Sequence, residues 1–176
     1  MNRCLSRRRA AGLAAAAVML AGVRQQAAAA TDLSKPAGKV ILTVTGKIGA
    51  TNDGETAIFD RAMLEAMPQH SFTTKTPWYS GPETFEGVLM SDLLRRLECT
   101  GSNLLAIALN DYSSQIPVDD FAHYGVILAI KRDGKYMPVR DKGPLFIIYP
   151  FDSDSSLKSQ KFYGRSAWEV SRIVIN

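Results

Sequence analysis

The chain has 176 residues, 46% of them hydrophobic, with 21 Lys and Arg against 17 Asp and Glu for a formal net charge of +4. Arg3, Arg7, Arg8, Arg9 and Arg24 all fall within the first 30 positions, so residues 31–176 hold 16 basic against 17 acidic side chains. A balance so close to neutral, without a Lys/Arg cluster, argues against nucleic acid or an anionic membrane surface as the main partner.

Residues 1–30 read as a secretory signal: a basic head from Arg3 to Arg9, an alanine-rich apolar stretch from Ala10 to Val23, and small residues from Ala27 to Ala30 where cleavage is expected. The apolar stretch is too short and weak for a permanent membrane span. Ser6-Arg7-Arg8 is compatible with export by either the general or the twin-arginine route. The expected location is therefore periplasmic or secreted. Cys4 leaves with the signal and Cys99 stays as the one thiol. An intrachain disulfide is thereby excluded, and stability rests on the core.

Residues 31–38 read as a flexible leader, and 39–176 as one domain. Val40 to Val44 forms a first strand, and Lys47 to Glu55 a loop. Phe59 to Met67 has helical spacing, with Asp60 placed to cap and Pro68 to close. Residues 70–76 have strand propensity and lead to Trp78 and Tyr79, aromatic residues that suit either a binding surface or a lid folded on the core. Phe85 to Leu89 is a strand; Ser91 is expected to cap a helix built on Leu93, Leu94 and Leu97. Cys99 at its end reads as a small buried hydrophobe. Leu104 to Leu109 and Gln115 to Val118 are strands, and Asp119 and Asp120 read as caps of a short helix at Phe121 rather than as paired catalytic carboxylates. Asp133-Gly134, between the strands Val126–Ile130 and Tyr136–Val139, is the strongest hairpin signal in the chain. Leu145 to Phe151 is the most continuous apolar run, expected as the central strand, with Arg140, Asp141 and Lys142 at its mouth. A polar loop from Ser153 to Lys161 precedes a last strand over Trp168 to Ile175. Seven to nine strands and three short helices, without a regular strand-helix repeat, give an α+β fold with a mixed, mostly antiparallel sheet.

Several chemistries lack their residues. His70 and His123 stand 53 positions apart without neighbouring cysteines, so zinc-ligand spacings are missing. Each reads as a surface or loop residue, since a base needs a positioned partner. A Gly-x-Ser-x-Gly elbow, a phosphate loop and a dinucleotide fingerprint are missing as well. What remains is a set of loop residues at strand ends: Trp78, Asn110, Tyr112, Arg140, Lys142 and Arg165. If these converge, they form a pocket of aromatic walls, donors and positive charge suited to a small anion or a phosphate-bearing ligand.

The order of segments resembles the molybdopterin-binding domain of the sulfite oxidase family, in its short secreted bacterial form. The pieces that carry the resemblance are Trp78 followed by FEGVLMSDLL (85–94), ALNDYSSQIPVDDF (108–121), GPLFIIYP (143–150) and YGRSAWEVSRIVI (163–175). It implies that family's fold over Val40 to Val174. It also implies a molybdenum held by one cysteine thiolate and a pterin dithiolene, with cationic side chains gripping the pterin phosphate. Four residues before Trp78, where the family places its cysteine, this chain has Thr74. An alcohol ionises far less readily than a thiol. Phe146 and Ala167 stand where the family commonly has an arginine and a lysine. These departures favour a domain that keeps the fold without the cofactor, a periplasmic module binding a small anion or a partner protein. The alternative is a molybdopterin oxidoreductase with non-cysteine ligation at Thr74, gripped by Arg140, Lys142 and Arg165.

Overall fold

The computed structural model describes residues 33–176; the expected signal and the start of the leader lie outside the described residues. The strands are β1 (Val40–Gly46), β2 (Ala57–Asp60), β3 (Gln69–Lys75), β4 (Pro82–Leu89), β5 (Asn103–Ala108), β6 (Ser113–Pro117), β7 (Ile127–Arg132), β8 (Lys135–Tyr136), β9 (Phe146–Ile148) and β10 (Val170–Ile175). Four short helices join them: α1 (Arg61–Glu65), α2 (Met90–Arg96), α3 (Asp119–His123) and α4 (Gln160–Arg165). One sheet runs β2-β1-β10-β5-β6, with β1 and β10 parallel and the other pairs antiparallel. The other, wholly antiparallel, runs β3-β4-β7-β8, and β9 also pairs with β7. The fold is thus α+β, strand-rich, in a single domain.

Alternation explains the first sheet: Leu104, Ala106 and Ala108 of β5 and Ser114 and Ile116 of β6 point inward, their neighbours outward. In the second sheet β7 buries Ile127, Leu128, Ala129 and Ile130 in succession, so both of its faces are covered. Side chains from both sheets join in one core cluster. Among the described residues no helix is long and apolar enough to cross a membrane.

Asp60 caps α1 as expected, its Oδ1 accepting the Met63 amide at 2.9 Å. The Asp133-Gly134 hairpin also forms, with φ of 48° and 71° that suit a two-residue turn between right-twisted strands.

Other expectations are corrected. The run from Leu145 to Phe151 is not a central strand of either sheet: Pro144 and Pro150 bracket a three-residue β9 that lies off the β3-β4-β7-β8 order and pairs with β7, while β4 and β7 are the strands of that sheet paired on both sides. The other edge of the run is taken by the approach to β10, through Ile147 N to Ala167 O at 2.8 Å and Val170 N to Leu145 O at 3.0 Å. These bonds tie the two sheets together. Phe59 lies in β2, ahead of the helix, because it pairs with Leu42. Ser91 caps nothing; α2 begins at Met90, whose amide bonds to Val126 O at 2.9 Å. The polar loop after Phe151 holds a 3-10 turn at Ser155–Leu157 and the start of α4. The leader is not free over residues 33–38: Leu33 is buried, Ser34 O accepts from Asn52 Nδ2 at 2.8 Å, and Gly38 N donates to Asp60 Oδ2 at 2.7 Å.

Candidate functional site

Three loops meet at one end of β9. The loop before it is a 3-10 turn, Val139–Asp141, closed by the Asp141 and Gly143 amides, each 2.9 Å from Pro138 O. The turn leaves Lys142 in the left-handed region, with φ 65°. Gly143 is required by crowding, since a Cβ there would stand 1.8 Å from Met137 O. Glu169 N then donates to Lys142 O at 3.1 Å, and Leu109 N to Glu169 O at 2.9 Å. The turn after β5 and the lead-in to β10 are thereby fastened beside Lys142.

Trp78 and Trp168 pack edge to face beside this turn. Their ring centres are 5.4 Å apart with planes at 67°, and Trp78 also meets Phe146, Phe151 and Tyr163 at 5.7, 6.1 and 6.0 Å. Such edge-to-face contacts fix the rings as a unit. Of the two readings of Trp78, the structure gives the lid on the core. Lys142 Nζ lies 5.1 Å from the Tyr79 ring centre and 5.2 Å from that of Trp168. Beneath it, Asp141 accepts from Arg132 Nη2 at 2.7 Å, from Arg132 Nη1 at 3.2 Å, and from the Tyr79 hydroxyl at 3.3 Å. The Arg132 guanidinium covers the Tyr79 ring at 4.1 Å. Burial pushes the Tyr79 phenol up to about 12, so it stays a neutral donor.

The expected site residues therefore divide. Trp78 is joined to Lys142 through Trp168, which touches both, and Arg140 is exposed on the same turn as Lys142. Asn110 and Tyr112 lie on the adjoining β5–β6 turn, where Asn110 Oδ1 accepts the Tyr112 amide at 3.1 Å. The oxygen of the Asn110 amide is thus engaged within its own turn. Leu109, Tyr112 and Val139 are 51%, 54% and 50% exposed, which makes this end of the molecule apolar as well as cationic.

Arg165 is withdrawn: its Nη1 donates to Asp120 Oδ2 at 2.6 Å, and the same oxygen accepts the Tyr149 hydroxyl at 2.7 Å. This also corrects the reading of Asp120 as a helix cap, since α3 starts without a side-chain cap. Burial, then the Asp120 bond, raises the Tyr149 phenol pKa, keeping it protonated as a donor. Cys99 is only partly buried.

Thr74 is wholly buried, its Oγ1 accepting the Asp152 amide at 3.0 Å and lying 3.3 Å from Lys75 O as donor. A metal ligand needs a free lone pair and a path to the ion. Here the hydrogen and one lone pair of the hydroxyl are engaged by backbone, and complete burial leaves the oxygen without a path to an ion. The other two departures from the family pattern, Phe146 and Ala167, are buried apolar side chains. The residues at these three positions do not fit a molybdenum cofactor. Among the described residues no group of three or more His, Cys, Asp or Glu side chains could hold a metal ion.

Sequence reasoning missed Arg132 and Trp168, and it placed Tyr79 and Asp141 in their loops without bringing them together beside Lys142. Arg132 ends β7 and Trp168 stands just before β10, far from Lys142 and from each other in sequence, so no local pattern marks them. No protein-family model matches this chain, and no curated protein matches it significantly.

Proposed function

We propose that the protein is a secreted, periplasmic binding module built on a sulfite-oxidase-type molybdopterin-binding fold, and that it recognises an anionic group without a metal. The observation that carries the reading is Lys142. Arg132, Arg165 and Arg172 are each matched to a carboxylate, whereas neither Lys142 nor Arg140 enters any ion pair among the described residues. Lys142 is instead steadied by two ring faces, which attract the ammonium without neutralising it. An ammonium has three N–H donors, and a π face leaves donors free for an incoming oxygen. The half-buried setting lowers the dielectric and strengthens that bond to a charged acceptor, while Leu109, Tyr112 and Val139 offer apolar contact around it. Arg140 adds a second positive charge at the rim.

Phosphate, compared with chloride at equal ionic strength, serves as the probe in thermal denaturation. Phosphate at ten times its dissociation constant stabilises by about 1.4 kcal/mol, a rise of several degrees. Lys142→Gln is expected to remove most of that rise while melting normally in chloride. A wild-type protein indifferent to phosphate, or a Lys142→Gln protein with the full rise, overturns the reading.

A further inference from the structure

A second concavity lies far from Lys142 in the chain, between the β2–α1 corner and α2. It has a volume of about 480 Å³, within the range of small-molecule sites. Phe59, Met63 and Met67 line it on one side, with Ala66 and Pro68, and Asp92, Arg95 and Arg96 on the other. Phe59 belongs to the core, and Met63 and Met67 pack against it half-buried. Unbranched thioether side chains adapt their shape to an apolar guest.

The charges do not cancel. Asp92 Oδ1 is 2.6 Å from Arg95 Nη2, and its Oδ2 is 3.7 Å from His70 Nε2, so both carboxylate oxygens are engaged. Arg96, half-buried at the end of α2, enters no ion pair among the described residues. An apolar floor of two methionines and a phenylalanine is thus edged by one uncompensated guanidinium.

We infer that this groove is a binding site for an amphipathic anion, an unbranched hydrocarbon chain ending in a carboxylate. The chain lies on Phe59, Met63 and Met67, and the carboxylate meets Arg96, whose fork of donors suits two oxygens. A cationic amphiphile would place its head against Arg96 and be repelled. A short carboxylate would leave the floor uncovered.

The test uses decanoate below its micelle concentration, with acetate and decyltrimethylammonium as controls, on protein labelled at its methionine methyls. Decanoate is expected to saturate and to move the Met63 and Met67 methyl resonances while leaving Met137, buried against the second sheet, in place. Acetate and decyltrimethylammonium are expected to leave all three unmoved. Arg96→Gln is expected to weaken decanoate about tenfold. Met67→Glu, which puts a like charge on the floor, is expected to abolish binding even if Arg96→Gln folds poorly. No saturable shift, shifts shared equally with Met137, equal binding of decyltrimethylammonium, or undiminished affinity in both variants overturns the inference. None of these outcomes bears on Lys142 and phosphate.

Discussion

Replacing Asp120 with alanine tests how α4 is held, and through α4 how Tyr163 is seated against Trp78. Asp120 Oδ2 receives both the Arg165 guanidinium at 2.6 Å and the Tyr149 hydroxyl at 2.7 Å. The side chains of Arg165 and Asp120 are 20% and 11% exposed. Removing one partner of a fully buried pair costs about 3–5 kcal/mol. Arg165 keeps some contact with water and recovers part of its hydration, so its share falls to about 2 kcal/mol. Tyr149 is completely buried, and its orphaned hydroxyl adds about 1 kcal/mol. The total of about 3 kcal/mol lowers the melting temperature by roughly 10 °C in a domain of this size. Urea denaturation followed by tryptophan fluorescence measures it, with an unchanged slope as the sign that only stability has moved. Arg165→Met added to Asp120→Ala removes the stranded cation and is expected to restore more than half of the loss. A loss under about 1 kcal/mol, or a second substitution that only adds to the damage, would refute the reasoning.

Thr74→Val keeps the shape but orphans the Asp152 amide, so a loss of about 1–2 kcal/mol is expected. Faster hydrogen exchange at Asp152 would accompany it, and unchanged exchange would contradict the bond. Gly143→Ala drives a Cβ to within 1.8 Å of Met137 O, so the Lys142 turn must shift. Its phosphate response should fall with the melting temperature, and a fully retained response would show that the turn does not position Lys142. Acid should destabilise the fold. The Met63 and Gly38 amides hold the Asp60 carboxyl below its ordinary 3.8, and Lys158 followed by the Lys75 amide does the same for Asp152. Carboxyls with depressed folded pKa values stabilise above the unfolded value. Their contribution is lost as pH falls through the folded values, so the melting temperature should drop below about pH 4. Asp60→Asn should flatten that drop, and an equally steep profile in the variant would exclude Asp60 as a cause.

The readable parts of the chain were those governed by neighbours in sequence. Asp60 caps a helix three residues on, and Asp133-Gly134 turns a hairpin within itself, so both appear in the structure as expected. The misreadings share a different feature. Asp120 looked like a cap because the partners that claim it, Tyr149 and Arg165, stand 29 and 45 residues away. Arg165 looked free for the same reason. The run from Leu145 to Phe151 is buried on both faces, as its composition requires, but burial alone does not say which strand lies at the centre. Here β7 takes one edge of the run and the approach to β10 the other, while helix α4 and the Trp78 loop pack against Phe151. The cationic site was half legible: Lys142 stood out beside Gly143, while Tyr79 and Trp168, whose rings hold it, are brought there only by the fold.

Molybdenum and pterin content decides the central claim most directly. The protein is matured in a host that makes and inserts molybdopterin, purified, and analysed for metal per chain and for released pterin. With the Thr74 hydroxyl closed by the Asp152 amide, and Phe146 and Ala167 buried, the account predicts neither in stoichiometric amount. One molybdenum per chain with its pterin would contradict it.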